Sequence, residues 1–154
     1  MASDKVIIAP VRRTLGVPLT PEKAFRLFTA DIASWWPLAS HSVGQGKAET
    51  VIMEGRVGGR LYERAGNGGT ADWGEVRVWD PPRRLVYSWH PGRQAGTAQE
   101  VELRFTGEGN KTRVELEHRG WDALDEKASA MRDNYDTGWN HVLGECYGKA
   151  AGVT

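Results

Sequence analysis

The stretch AQEVELRFTGEGNKTRVELEHR, residues 98–119, decides the fold. Val101, Leu103 and Phe105, then Val114, Leu116 and His118, alternate with charged residues at a period of two, and Gly109-Asn110 sits between the runs as a two-residue hairpin turn. With that turn Glu108 lies opposite Lys111, Arg104 opposite Glu115 and Glu100 opposite Arg119, so outer charges meet opposite charges. Glu102 opposite Glu117 is the one unfavourable pair. On the other face the same register pairs Phe105 with Val114, Leu103 with Leu116 and Val101 with His118, so His118 points toward the core side.

Upstream, the same period-two signal recurs in ETVIMEGRV (49–57), RLYERA (60–65), DWGEVRVW (72–79) and RLVYSWH (84–90). These runs are separated by Gly-Gly, Gly-Asn-Gly-Gly, Asp-Pro-Pro and Pro-Gly, which predicts six consecutive strands in an antiparallel meander. Residues 5–17, KVIIAPVRRTLGV, read as a first strand placed at an edge or bulge, because Pro10 cannot donate to a ladder. Thr20 and Pro21 start a short helix with Ala24, Phe25, Leu27 and Phe28 on its apolar face, and Ile32, Trp35 and Trp36 extend to a second short helix ended by Pro37. Beyond residue 120 the spacing turns helical: Met131, Tyr135, Trp139, Val142, Leu143, Cys146, Tyr147 and Ala150 recur three or four apart. One long amphipathic helix and one one-sided sheet bury their apolar faces only against each other, so the sheet must curl around the helix. The fold class is α+β, and the space left between sheet and helix is where a small apolar ligand would sit.

Twenty Lys+Arg against twenty Asp+Glu leave no net charge, which argues against a nucleic-acid or anionic-membrane binder. With 154 residues, 40% hydrophobic and 26% charged, the chain reads as a single globular domain, 1–154. The single cysteine, Cys146, makes no internal disulfide, and no signal peptide or membrane span fits, so a cytoplasmic location is expected. The four histidines fall in no metal-ligand spacing, and no GxGxxG after a strand, GxxxxGK[ST] or GxSxG motif occurs; no metal and no cofactor are expected. Seven Trp against three Phe and four Tyr are unusual, and large flat side chains with one N–H donor suit a pocket wall.

Trp35-Trp36-Pro37, Gly58-Gly59-Arg60, Gly74 with Val76, the run Pro81 to Trp89 (PPRRLVYSW), the run Glu115 to Gly120 (ELEHRG) and Gly138-Trp139, in this order, resemble the START-like (SRPBCC) superfamily. More narrowly the chain is similar to its activator-of-heat-shock-ATPase-homologue branch, from about residue 10 to the end. The resemblance implies a helix-grip fold, β-α-α followed by six strands and a long helix, enclosing a hydrophobic cavity. Family members bind lipids, hormones or polyketides, some cyclise polyketides, and a eukaryotic relative stimulates a chaperone ATPase.

The cavity is expected to draw on Trp36, His41, Met53, Leu61, Glu63, Tyr87, Trp89, Phe105, His118, Met131, Tyr135 and Trp139. Two of these bear on chemistry. If Leu61 faces the core then Glu63 does too, where its carboxylate would pair with a ligand hydroxyl or with His118; the alternative is that Tyr62 is the inward residue, through a bulge at Gly58-Gly59, leaving Glu63 solvated. His118 is either a satisfied core residue or a polar handle at the cavity, and His41 follows Trp36-Pro37 in a loop at the expected mouth. Three functions follow: binding of a small apolar or amphipathic molecule; a cyclase- or hydratase-like enzyme with Glu63 and His118 as acid and base; and a module making a chaperone or homodimer contact.

Overall fold

The computed structural model describes residues 8–153. Seven strands form one antiparallel sheet: β1 (Val11–Val17), β2 (Ala48–Met53), β3 (Arg60–Ala65), β4 (Thr70–Asp80), β5 (Arg84–Trp89), β6 (Gln99–Glu108) and β7 (Lys111–Arg119). Their spatial order is β1-β7-β6-β5-β4-β3-β2, a meander from β2 to β7 with the first strand added beside the last. Residues 5–7 of the expected first strand lie outside the described residues, and β1 begins only after Pro10, the residue without an N–H.

The β6–β7 register is the one that the Gly109-Asn110 turn dictates, from Glu108 opposite Lys111 to Glu100 opposite Arg119. Gly109 has φ of 64°, the left-handed conformation a two-residue hairpin turn requires. Glu102 and Glu117 do lie opposite each other, but Arg119 bridges them, donating to Glu102 Oε1 at 2.6 Å and to Glu117 Oε2 at 2.8 Å. Arg84 and Arg104 add bonds to Glu102 Oε2 at 2.7 and 2.6 Å. Burial alone would raise the Glu102 carboxyl, yet the hydrogen bonds from Arg84, Arg119 and Arg104 outweigh it and hold it down at about 2. The like-charged pair is thus absorbed into an arginine clamp on the outer face of the sheet.

On the other face the sheet packs against the helices. α1 (Pro21–Phe28) is capped by Thr20, whose Oγ1 accepts from the Lys23 N–H at 3.3 Å, and it buries Ala24, Phe25 and Phe28. The second short helix is no more than a single 3₁₀ turn, Ile32–Ser34, because Pro37 leaves no room for a further turn. At the C-terminus, α2 (Ala128–Trp139) runs without a break into a π-helical stretch, Asn140–Tyr147, and then α3 (Gly148–Ala150).

The π stretch corrects the end of the expected apolar stripe. Trp139, Leu143, Tyr147 and Ala151 are buried in steps of four, whereas Ala150 is exposed. At roughly 100° per residue an α-helix would rotate such a series steadily away from the sheet. The wider π turn takes up that rotation and keeps the series facing the core. The result is an α+β helix-grip fold, a curved antiparallel sheet wrapped around a long C-terminal helix.

Candidate functional site

Between the helix and the concave face of the sheet lies a cavity of about 400 Å³. Trp36 follows the 3₁₀ turn, Trp73 comes from β4, Trp89 from β5, and Tyr135, Gly138, Trp139 and Val142 from the C-terminal helix. The mouth is formed by Ser40, His41, Ser42 and Val43 on one side and by Pro91 and Gly92 on the other. The indoles interlock, with ring centroids 5.1 Å apart for Trp36 and Trp73, 5.6 Å for Trp73 and Trp89, and 6.3 Å for Trp89 and Trp139.

Of the twelve residues expected at the cavity, Trp36, His41, Trp89, Tyr135 and Trp139 line it. The other seven do not. Leu61 and Phe105 are buried core, Phe105 packing against Phe25 at 5.3 Å, while Met53 flanks a separate groove beside α1 and Met131 is half-buried against the core. They point inward but lie too far along the sheet and helix, since a period of two settles the face and not the distance from the opening. Glu63, Tyr87 and His118 sit behind the wall, within the inner layer that carries the tryptophans.

Glu63 is the inward residue of its pair, 3% exposed, and Tyr62 stands on the outer face beneath the Arg60 guanidinium, 4.1 Å from the ring centre. The bulge in this region is not at Gly58-Gly59. The β3–β4 pairing passes from Leu61–Gly74 to Tyr62–Asp72, so the extra residue is Trp73. Trp73 and Gly74 are consequently both buried, although strict alternation from buried Val76 would turn Trp73 outward. Gly74 has to be glycine: a Cβ there would lie 1.7 Å from the Ser88 carbonyl oxygen. This bulge is why Trp73 escapes the sequence pattern.

Turned inward, Trp73 donates from Nε1 to Glu63 Oε1 at 2.7 Å. The same carboxylate accepts the backbone N–H groups of Val43 at 2.6 Å and Gly44 at 2.9 Å. Glu63 is therefore a staple that fastens the mouth loop to the sheet, its buried charge answered by three donors. Glu63→Gln puts an NH₂ group against one of those donors; we expect about 1–3 kcal/mol lost in urea denaturation and faster hydrogen exchange at the Val43 and Gly44 amides. Unchanged exchange at both amides would show that the loop is held by other contacts.

His118 is fully buried, stacks on Trp121 at 4.2 Å, and accepts the Trp139 indole N–H at Nδ1, 2.9 Å away. Because Nδ1 accepts, the ring proton sits on Nε2. Burial, reinforced by the positive charge of Arg93, pushes the pKa from 6.5 down to about 3, so the ring is neutral. No hydrogen bond joins His118 to Glu63, whose oxygens are taken by Trp73, Val43 and Gly44. The acid–base pair expected of an enzyme is not assembled.

At the mouth, the His41 backbone carbonyl accepts the Trp36 indole N–H at 2.7 Å, and His41 Nδ1 lies 2.6 Å from Ser40 Oγ. Its ring stands 5.3 Å from that of His141, and burial together with His141 lowers its pKa. Among the described residues no group of three or more His, Cys, Asp or Glu side chains is placed to hold a metal ion.

A family model described as activator of Hsp90 ATPase homolog 1-like protein matches residues 18–145. The chain belongs to that family. A solved structure of an anthrahydroquino-gamma-pyrone synthase, Txn09, is 32% identical over 84% of this chain and 88% of its own, with a TM-score of 0.59. The self-sacrificing resistance protein CalC from Micromonospora echinospora is 27% identical over 93% of this chain and 94% of its own, with a TM-score of 0.64. The Aha1 dimer from Colwellia psychrerythraea shares the fold at 17% identity and a TM-score of 0.54, over 90% of this chain and 99% of its own. Among curated proteins no relative matches.

Proposed function

We propose that this Hsp90-activator-homologue-like chain binds a small apolar or amphipathic molecule in the tryptophan-lined cavity. The observation that carries the reading is the cavity's composition: four tryptophans and a tyrosine surround about 400 Å³, and no Asp, Glu, Lys or Arg is among the described residues lining it. That volume lies within the range of small-molecule sites, and an apolar wall with a few polar groups is their usual chemistry. The similarity to a synthase whose name is that of a polycyclic aromatic product supports the same reading.

An apolar fluorophore such as N-phenyl-1-naphthylamine is expected to bind saturably at one site and to draw energy from tryptophan emission. Gly138→Leu is the matching variant, because a Cβ at Gly138 meets nothing within 4 Å and the side chain enters the cavity. We expect the variant to fold with at least the parent stability, since glycine inside a helix is unfavourable, and to bind the fluorophore about tenfold or more weakly. Absence of saturable binding to the parent protein would overturn the reading.

The family name and the dimeric Colwellia relative support a second reading, a chaperone or homodimer contact. Its test is sedimentation of the protein alone and with Hsp90. A cytoplasmic location accompanies both readings; among the described residues no helix is long and apolar enough to cross a membrane.

A further inference from the structure

The mouth loop, residues 38–46, is tied down on its sheet side and strained where it leaves. The Trp36 indole donates to the His41 carbonyl at 2.7 Å, and Glu63 accepts the Val43 and Gly44 N–H groups. Directly after this staple, Gln45 has φ of 49°, the one non-glycine residue in the left-handed region among those described. A segment held closed by a few bonds against a local backbone cost is the kind that a small change in contacts releases.

Toward the helix the loop meets one histidine with another. The His41 and His141 ring centroids are 5.3 Å apart, with the planes inclined at 35°. His41 Nδ1 lies 2.6 Å from Ser40 Oγ, a neutral partner on its own loop. His141 Nδ1 donates to Glu145 Oε2 at 2.7 Å, and the π stretch brings Cys146, five residues on, to 3.5 Å from His141 Nε2. The charged groups around the pair are thus Glu145 and, close to Cys146, Lys149 on the helix, with Glu63 beneath the loop. A proton added to His41 enters a partly buried site that faces a second imidazole, and both burial and His141 oppose it. Lifting the loop relieves both, so by linkage the proton favours the lifted loop as pH falls.

We propose that His41 and His141 form a protonation-operated latch on the cavity mouth, closed while the rings are neutral and released when both carry charge. The latch rests on the ligand-binding reading only for its purpose, because the loop it frees borders the cavity, and it is tested without a ligand. Release detaches the Val43 and Gly44 amides from Glu63 and widens the gap toward Pro91 and Gly92 on the opposite rim.

Amide hydrogen exchange of the intact, unliganded protein at pH 7.5 and pH 5.5, each rate referred to that of an unstructured amide at the same pH, tests the latch. Protection at Val43 and Gly44 is expected to fall by about fivefold, the size of one like-charge contact at 5.3 Å in a largely wet site. That fall is counted beyond any shared by Val101 and Leu103 in β6, which report global unfolding. His41→Gln removes the titrating group and is expected to abolish the extra fall. His141→Gln leaves the burial of His41 in place and is expected to shrink it. A merely structural role for either histidine would change protection equally at both pH values. No extra fall in the parent protein, or a fall of the parent's size in either variant, overturns the latch. Failure of N-phenyl-1-naphthylamine to bind, with the extra fall intact, counts against the ligand-binding reading and leaves the latch standing.

Discussion

Trp139→Ala is expected to lower stability by about 3–5 kcal/mol in chemical denaturation, the range for truncating a buried Trp or Phe. Trp139 is 2% exposed and touches the wall from the helix side, with ring centroids 6.1 Å from Trp36 and 6.3 Å from Trp89. Truncation widens the cavity instead of allowing collapse, because the opposite face of the indole already borders open volume. It also removes the donor to His118 Nδ1 and leaves that atom buried without a partner. Trp139→Phe separates the two contributions, keeping an aromatic ring while losing the hydrogen bond, and is expected to cost about 1–3 kcal/mol. A loss below about 1 kcal/mol for the alanine variant would mean that Trp139 does not clamp helix to sheet.

Acid is expected to destabilise the protein before its carboxylates titrate. The folded-state pKa of His118 is about 3, against an ordinary value of 6.5, with burial as the main cause and Arg93 as the second. As pH falls below 6.5 the unfolded chain takes up a proton that the folded chain refuses, so unfolding is favoured by about 1.4 kcal/mol per pH unit for this group. Between pH 7 and pH 5 the loss from His118 is about 2 kcal/mol. His41, also lowered by burial and by His141, acts in the same direction. Glu102, held at about 2, contributes only as pH falls below its ordinary value of 4.5. Urea denaturation at pH 7 and pH 5 measures the difference, and His118→Asn, which retains an acceptor near Nδ1, is expected to flatten it. A parent protein equally stable at both values would mean that His118 protonates readily in the folded state.

The parts of the molecule legible in the sequence are those governed by neighbours along the chain or across a tight turn. Gly109-Asn110 sets the β6–β7 register, which carries His118 to the inner face, and Thr20-Pro21 starts α1. Trp89 and Trp139 reach the cavity because each lies on an element whose phase the pattern shows, and Trp36 follows the 3₁₀ turn immediately before Pro37. Trp73 does not follow the pattern, since a one-residue bulge opposite β3, accommodated by Gly74 against the Ser88 carbonyl, reverses its face. Glu63 illustrates the division most directly. Alternation with Leu61 shows that it can face inward, but its role depends on Val43 and Gly44, some twenty residues earlier in the chain, and on the bulged Trp73. The same holds for the indole donors: composition shows seven tryptophans, and only the packed structure shows that Trp36, Trp73 and Trp139 spend their N–H groups within the protein while Trp89 does not. Strand faces and turns arise from steric and hydrogen-bonding rules local to a few residues, whereas the partner of a buried polar atom is chosen by whatever the fold brings within about 3 Å of it.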